Sequence, residues 1–162
     1  MVLDIPDIPA EVTARGDAYE FRLLRRDIRP PRVQAPEEAE LGLEGGPLLV
    51  LEGLHLVNGQ PLGFEARLVN LAAAQEMAQA DFAAQSPGTW LLQHVAWTEA
   101  ENRISAVAAD ARIAPALGVP IGTACLAVDR RTWRGDERIT TVRQLFPGEA
   151  YDLVARFGPS QK

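Results

Sequence analysis

An internal repeat restricts the fold of this chain more than any other feature of its sequence. A shift of 76 positions places residues 41–70 on residues 117–146 without a gap. The matched glycines are Gly42 with Gly118, Gly46 with Gly122, and Gly59 with Gly135. Because glycine ends helices and permits tight hairpin turns, matched glycines indicate matched backbone geometry. The repeat therefore predicts two copies of one structural unit.

Each copy is predicted to contain one strand, one short helix and then two long strands joined by a tight turn. Pro36 suits the first turn of the first short helix, and Asp110 suits the cap of the second. The pair Asn58-Gly59 is typical of a two-residue hairpin, which joins antiparallel strands. We therefore predict an α+β fold. Its mainly antiparallel sheet of about six strands is built from two pseudo-repeated βαββ halves, with helices packed on one face.

Further elements are predicted outside the repeat. Helical turns are expected at residues 8–16 and 86–95, where Ser86 serves as a helix start. The alanine content of residues 71–82 favours a surface helix. Residues 151–157, YDLVARF, are predicted to add an edge strand.

Composition argues against several functional classes. The 162 residues carry a net charge of −6, which opposes attraction to a phosphate backbone, so this chain alone is not expected to bind DNA. No apolar run is long enough to cross a bilayer, and a cytoplasmic location is expected. The single cysteine, Cys125, is predicted to be buried in a strand. Because His55 and His94 are the only histidines and no phosphate-binding glycine loop is found, we predict no catalytic residue, metal or cofactor.

A pair of opposite charges stands in the apolar run LGFEARLVN at residues 62–70. Glu65 and Arg67 are two positions apart, so in a strand both project from the same face. The repeat gives Arg67 a counterpart at Arg143. We expect these two arginines, related by an internal two-fold axis, to face one cleft and bind a carboxylate or phosphate there. The alternative is that each arginine pairs with a nearby acid on an exposed face.

Other polar residues are candidates for the same cleft. His55 shares the face of Glu65 only if a one-residue bulge interrupts the hairpin, because a strict two-residue turn puts it on the opposite face. Glu101 lies in an alternating charged strand, which is either solvated or offers an acceptor for a ligand N–H. Thr89 and Trp90 stand at a helix start, where Trp90 either joins the core or stacks on a flat ligand. The predicted ligand-binding residues are therefore His55, Glu65, Arg67, Thr89, Trp90, Glu101 and Arg143.

The sequence also resembles a known family through four segments: LVLEGLHLVNGQPLGFEARLVN, TEAENRISAV, ALGVPIGTACLAVDRRTW and LFPGEAYDLVARF. They are similar to the effector-binding UTRA domain of GntR-type bacterial repressors, and more narrowly to the histidine-utilisation repressor subgroup. The resemblance covers nearly the whole chain, and His55, Glu65 and Arg67 stand where the subgroup's pattern puts them. Asn102 replaces a histidine that is common in the subgroup.

This resemblance implies a chorismate-lyase-like fold and a ligand-sensing role without catalysis. It implies a linker and leading helix at residues 1–18 and a UTRA-type effector-binding domain at residues 19–162, with the winged helix-turn-helix absent from this chain. In the subgroup the effector is urocanate, and a related carboxylate is an alternative. A homodimer that contacts DNA only through the absent domain, and does not associate with membranes, is expected. The alternatives are a chorismate-lyase-like enzyme and a stand-alone small-acid-binding module.

Overall fold

Six antiparallel strands form a sheet in which the two halves of the chain lie side by side. The structure is a computed structural model that describes residues 7–32, 34–41 and 46–159. The strands are β1 (Tyr19–Arg29), β2 (Leu48–Val57), β3 (Gln60–Asn70), β4 (Glu99–Ala108), β5 (Ala124–Arg134) and β6 (Glu137–Pro147). Their order is β1-β2-β3-β6-β5-β4, so β3 and β6 pair at the centre while β1 and β4 form the edges.

Short helices complete the two halves of the fold. They are α1 (Ile8–Ala14), α2 (Pro36–Leu41), α3 (Pro87–His94) and α4 (Ile113–Leu117), with a 3-10 turn at Gln75–Gln79. One half is β1-α2-β2-β3 and the other is β4-α4-β5-β6, and α1 or α3 precedes each half. The predicted α+β class, the antiparallel six-stranded sheet and the paired βαββ halves are confirmed.

The two hairpins repeat with a period of 77 positions rather than 76. Their closing pairs are Val57 with Gln60 and Arg134 with Glu137. Gly135 therefore stands where Asn58 does, and both have the positive φ that this type of turn requires, 59° and 50°. Matching Gly59 to Gly135 in the sequence shifted the alignment of the hairpins by one residue.

The helices pack on both faces of the sheet, not on one as predicted. On one side, called the α3 face, strand residues form a core cluster with the 3-10 turn and α3: Leu49, Leu51, Val69, Met77, Trp90 and Leu91. On the other side, called the α4 face, strand residues form a second cluster with α4: Leu54, Phe64, Leu145, Ile113 and Leu117. Successive strand residues project to opposite sides, so a sheet covered on both sides needs apolar residues at every position. β2 meets this need, because its residues Leu48 to Leu51 are all buried.

Several local predictions are confirmed. Pro36 begins α2, and the Ser86 hydroxyl caps α3 by accepting a hydrogen bond from the Thr89 backbone N–H at 3.3 Å. Gly118 ends α4 with a φ of 68°, and Cys125 is a buried free thiol in β5, where burial raises its pKa. The helix end predicted at Gly42 and the first six residues of the predicted linker lie outside the described residues.

Two predicted elements have other structures. In place of a surface helix at residues 71–82 there is a 3-10 turn, which suits the three-residue spacing of buried Ala74, Met77 and Ala80. Residues 151–159 form no helix or strand. The Tyr151 ring stacks on Phe146 with 4.2 Å between the ring centroids, so a side-chain contact rather than strand pairing joins this segment to the sheet. Within the described ranges, no helix is long and apolar enough to span a membrane.

One ion pair attaches α2 to the edge strand β1. Glu38 accepts hydrogen bonds from Arg29 at 2.6 and 2.9 Å and from the Arg32 backbone N–H at 2.8 Å. The hydrogen bond from Arg29 is the main cause that lowers the pKa of Glu38 to about 2. A lowered pKa means that this stabilisation is complete above the ordinary value of 4.5 and is lost as the pH falls from there to about 2.

We predict that Glu38→Gln lowers the free energy of unfolding by about 1–3 kcal/mol at pH 7, because it weakens charged hydrogen bonds to a side chain that is only 9% exposed. The variant should also lose stability less steeply than the parent below pH 4.5. Urea unfolding across this pH range measures both effects. Glu37→Gln, on the same helix but 58% exposed, is the control and should cost less than about 1 kcal/mol. Equal losses in the two variants would contradict the prediction.

Candidate ligand-binding site

The pairing of the two central strands decides which polar residues share a face. Glu65 lies opposite Gln144, Ala66 opposite Arg143, and Arg67 opposite Val142. Directly opposed residues of antiparallel strands project to the same side, whereas successive residues project to opposite sides. Arg67 therefore lies on the α3 face, and Arg143 lies on the α4 face. The prediction that the two arginines converge on one cleft is wrong, because a one-residue shift in register moves a side chain to the other face.

Arg143 instead follows the alternative that the sequence left open. Its side chain is 50% exposed, and its Nε and Nη2 donate to the two carboxylate oxygens of Asp129 at 2.8 and 3.0 Å. This hydrogen bond is the main cause that raises the pKa of Arg143. Arg143 is therefore half of an ion pair on the α4 face.

Glu65 is the centre of a buried polar network on the α3 face. The residue is 1% exposed, and its Oε1 accepts from His55 Nε2 at 3.0 Å and from Gln144 Nε2 at 2.9 Å. Its Oε2 accepts from Arg67 Nε at 3.0 Å. Arg67, 5% exposed, also donates from Nη1 to Thr140 Oγ1 at 3.3 Å. Both carboxylate oxygens are therefore engaged by protein donors.

Two neighbouring side chains, Arg67 and His55, keep this buried carboxylate ionised. Burial by itself would raise the pKa of Glu65, but the positive charge of Arg67 and the hydrogen bonds from His55 and Arg67 outweigh it, so the pKa is lowered. An ionised carboxylate accepts hydrogen bonds and donates none. Glu65 consequently fixes the direction of every hydrogen bond that reaches it.

His55 joins this network because a bulge interrupts the first hairpin. The register shifts between His55 and Leu56, so His55 pairs with Gly63 and turns towards the face of Glu65. Of the two geometries left open by the sequence, the bulged one is confirmed. The other ring nitrogen, Nδ1, lies 2.6 Å from the hydroxyl oxygen of Tyr19. Burial, followed by the charge of Glu65, raises the pKa of Tyr19, so its hydroxyl keeps its proton.

A cavity of about 300 Å³ opens beside this network on the α3 face. Its polar lining comes from the five strands β2 to β6 and the start of α3, and includes His55, Glu65, Arg67, Ser86, Asn102, Arg130, Thr132 and Gln144. Leu92 and Trp97, which are 49% and 48% exposed, form an apolar rim, and Asp7, Ile8 and Pro9 close the side next to α1. The cavity thus combines an apolar entrance with a charged floor, as small-molecule sites do.

The start of α3 and the guanidinium of Arg67 face the same part of this cavity. Ser86 and Gly88 line it, and a Cβ placed on Gly88 would lie 3.4 Å from Arg67 Nη2. The first N–H groups of a helix have no partner within the helix and carry partial positive charge. In α3, Pro87 has no N–H and the Thr89 N–H is donated to Ser86. The Gly88 N–H is therefore the one that, together with the arginine fork, is suited to hold a carboxylate.

The seven residues predicted from the sequence fall into three groups. His55, Glu65 and Arg67 line the cavity together. Thr89 and Trp90 lie on α3 beside it: the Thr89 hydroxyl donates to Asp7 at 3.0 Å, and buried Trp90 stacks on His94 with 4.2 Å between the ring centroids. Glu101 and Arg143 line an open, charged groove of about 690 Å³ on the α4 face instead. Glu101 lies there because it pairs with Arg131 in the register of β4 and β5.

Sequence reasoning missed Tyr19, Asn102 and Gln144 as site residues. Gln144 is the counterpart of Arg67 once the repeat is counted at 77 positions. Asn102 alternates with Glu101 and therefore occupies the face that was not considered. No signal in the sequence marks Tyr19. Among the residues that the structure describes, no cluster of three or more His, Cys, Asp or Glu side chains is placed to hold a metal ion.

Comparison with known proteins places this chain in a family. Residues 14–152 match the model of the UTRA domain. The histidine utilization repressor of Pseudomonas putida is 31% identical over 159 residues, which are 96% of this chain and 62% of that protein. The chain thus spans less than two thirds of the length of this curated relative.

Comparison with solved structures identifies the fold. The crystal structure of the C-terminal domain of the histidine utilization repressor from Pseudomonas syringae superposes with a TM-score of 0.79 and 28% identity, covering 88% of this chain and all of that one. The effector domain of PhnF from Mycobacterium smegmatis, at 21% identity, has a TM-score of 0.83 and covers 97% of this chain and 98% of its own; this likeness concerns the fold alone. The chorismate-lyase-like fold implied by the resemblance is confirmed. With most of its length matched by the family model, the chain belongs to the UTRA domain family.

Proposed function

We propose that this domain senses a small planar carboxylate, with urocanate as the first candidate, in the cavity on the α3 face. The observation that carries the proposal is that the guanidinium of Arg67 and the start of α3 face the same cavity. The names of the relatives, histidine utilization repressors, support a metabolite of histidine breakdown. A repressor domain with an attached winged helix, a homodimer and a cytoplasmic location belong to the same proposal.

The roles within the cavity follow from which atoms are already engaged. Arg67 uses Nε for Glu65 and Nη1 for Thr140, so its Nη2 edge beside Gly88 is the one that meets the ligand carboxylate. A charge-assisted hydrogen bond contributes about 1.5–3 kcal/mol net. Two such bonds together with stacking against the apolar rim reach roughly the 8 kcal/mol of a micromolar complex. Such an affinity suits the sensing of a metabolite.

The ligand cavity is also connected to the start of the described chain. Asp7 accepts a hydrogen bond from Thr89 of α3, and Ile8 and Pro9 line the cavity itself. A ligand that hydrogen-bonds to the start of α3 therefore changes the environment of α1. A ligand shifts a conformational equilibrium only by binding one state better than the other. In the proposed repressor, α1 is the element through which that preference reaches the DNA-binding domain.

We predict that Arg67→Gln abolishes binding of trans-urocanate in isothermal titration calorimetry, whereas Arg143→Gln binds it like the parent. Arg67→Gln leaves the buried charge of Glu65 without its cation and should cost about 3–5 kcal/mol of folding stability. The double variant Glu65→Gln/Arg67→Gln removes both charges, so it should regain much of that stability without regaining binding. Unchanged binding in the double variant, or loss of binding in Arg143→Gln, would mean that the ligand lies elsewhere.

We predict that Gly88→Ala weakens urocanate binding at least tenfold, corresponding to about 1.4 kcal/mol. The added methyl group would occupy the space next to Arg67 Nη2 that the carboxylate needs. The fold should be unchanged or stabilised by up to about 1 kcal/mol, because alanine favours a helix over glycine. Gly158→Ala is the control, since a Cβ there meets no atom within 4 Å. Equal affinities for Gly88→Ala and the parent would contradict this placement of the anion.

Measuring product release and thermal stabilisation distinguishes a sensor from a lyase on this fold. Incubation of the protein with chorismate should release no pyruvate, while urocanate should raise the unfolding temperature without being converted. Release of pyruvate at a rate that scales with protein concentration would contradict the sensor proposal and support the lyase. A thermal shift by neither compound nor by other acids of histidine breakdown would favour a domain without this ligand.

A further inference from the structure

Gln144 places an amide at the floor of the cavity. It lies on β6 directly opposite Glu65 and one strand away from Arg67. It lines the cavity and is partly exposed to it. In the repeat counted at 77 positions, Gln144 is the counterpart of Arg67, so the two halves contribute an amide and a guanidinium at equivalent places.

The orientation of this amide is fixed by Glu65. Gln144 Nε2 donates to Glu65 Oε1 at 2.9 Å, and Glu65 is ionised and buried. A rotated amide would point its carbonyl oxygen at a carboxylate oxygen, with two acceptors facing each other and no proton between them. The carbonyl oxygen of Gln144 is therefore turned away from Glu65, on the side of the residue that lines the cavity.

A second amide has its orientation fixed in the opposite sense. Arg130 Nε donates to Asn102 Oδ1 at 2.8 Å, and a guanidinium has donors only. The amino group of Asn102 is therefore the part left to face the cavity, which Asn102 also lines. Both residues project from the α3 face. On β5, Asn102 pairs with Arg130 and Gln144 pairs with Val128, and these two partners project to the same side because they are two residues apart. Their strands are separated by β5 alone, which is roughly 10 Å between backbones.

We propose that this pair of amides makes the cavity selective for carboxylates whose far end carries one N–H donor and one lone-pair acceptor. The inference rests on the proposed function and names the ligand class of that site. The N–H donates to the carbonyl oxygen of Gln144, and the acceptor receives a hydrogen bond from the amino group of Asn102. The carboxylate lies at the other end, between Arg67 and the start of α3. A five-membered ring with one N–H and one unprotonated nitrogen meets both requirements, whereas a ring without an N–H offers no donor to the carbonyl oxygen of Gln144.

The test compares two probes that differ in the ring alone. Trans-urocanate carries an imidazole, and (E)-3-(furan-3-yl)acrylate has the same carboxylate and ring size without an N–H. In calorimetry the parent should bind the furan compound at least tenfold more weakly, because it leaves the Gln144 carbonyl without a donor. Gln144→Met should weaken urocanate and leave the furan compound unchanged, so that the affinity ratio falls well below the parent's and keeps only the part that Asn102 contributes.

The control is Arg143→Met, the adjacent residue of the same strand on the α4 face, which should keep the parent's ratio. A full parental ratio in Gln144→Met, or a ratio of one in the parent, would overturn the selectivity. The parent measurement needs no variant, so a parental ratio of one overturns the selectivity even if Gln144→Met fails to fold. If the parent binds urocanate and the double variant Glu65→Gln/Arg67→Gln does not, the proposed function stands whatever the affinity ratio of the two probes. If the parent binds neither probe, the proposed function falls and the selectivity falls with it.

Discussion

One ionised carboxylate buried in the sheet determines how the polar part of this domain is arranged. Glu65 is 1% exposed, and an unpaired charge at such a position would be strongly destabilising. Its two oxygens are therefore matched by donors from three strands: His55 from β2, Arg67 from β3 and Gln144 from β6. Because Glu65 only accepts, it sets the orientation of each of these groups, and through His55 it also reaches Tyr19 of β1. The network thus fixes the floor of the cavity before any ligand enters.

The fold explains why this network has an adjoining space that a ligand can occupy. Each half of the sheet brings one helix ahead of its first strand, α1 or α3, and both contact the face that carries Glu65. The gap between these helices is the cavity, with the start of α3 on one side and Asp7 to Pro9 on the other. The hydrogen bond from Thr89 to Asp7 joins the two helices across this gap. A ligand in this position contacts both halves of the domain and the α1 segment together.

The sequence was sufficient for the α+β class, for the paired βαββ units and for half of the site. The glycine-marked repeat predicted two βαββ units, and alternation placed Glu65 with Arg67 on one face, as the structure has them. The repeat failed by one residue in the hairpins, because Asn58 of the first turn corresponds to Gly135 of the second and Asn adopts the same positive φ. This one-residue error led to the prediction that Arg143 shares a cleft with Arg67. For the same reason Gln144 was not recognised as the counterpart of Arg67. The turn residues Asn58-Gly59 are compatible with a strict hairpin and with a bulged one, so the sequence left both geometries open, and the strand register has the bulge after His55.

A crystal structure of the domain with trans-urocanate tests the central claim most directly. The account predicts one ligand on the α3 face, with its carboxylate between Arg67 Nη2 and the backbone N–H of Gly88 and with Glu65 still held by its three donors. Ligand density in the groove beside Arg143, or a carboxylate bound away from Arg67 while the Glu65 network is broken, would contradict it.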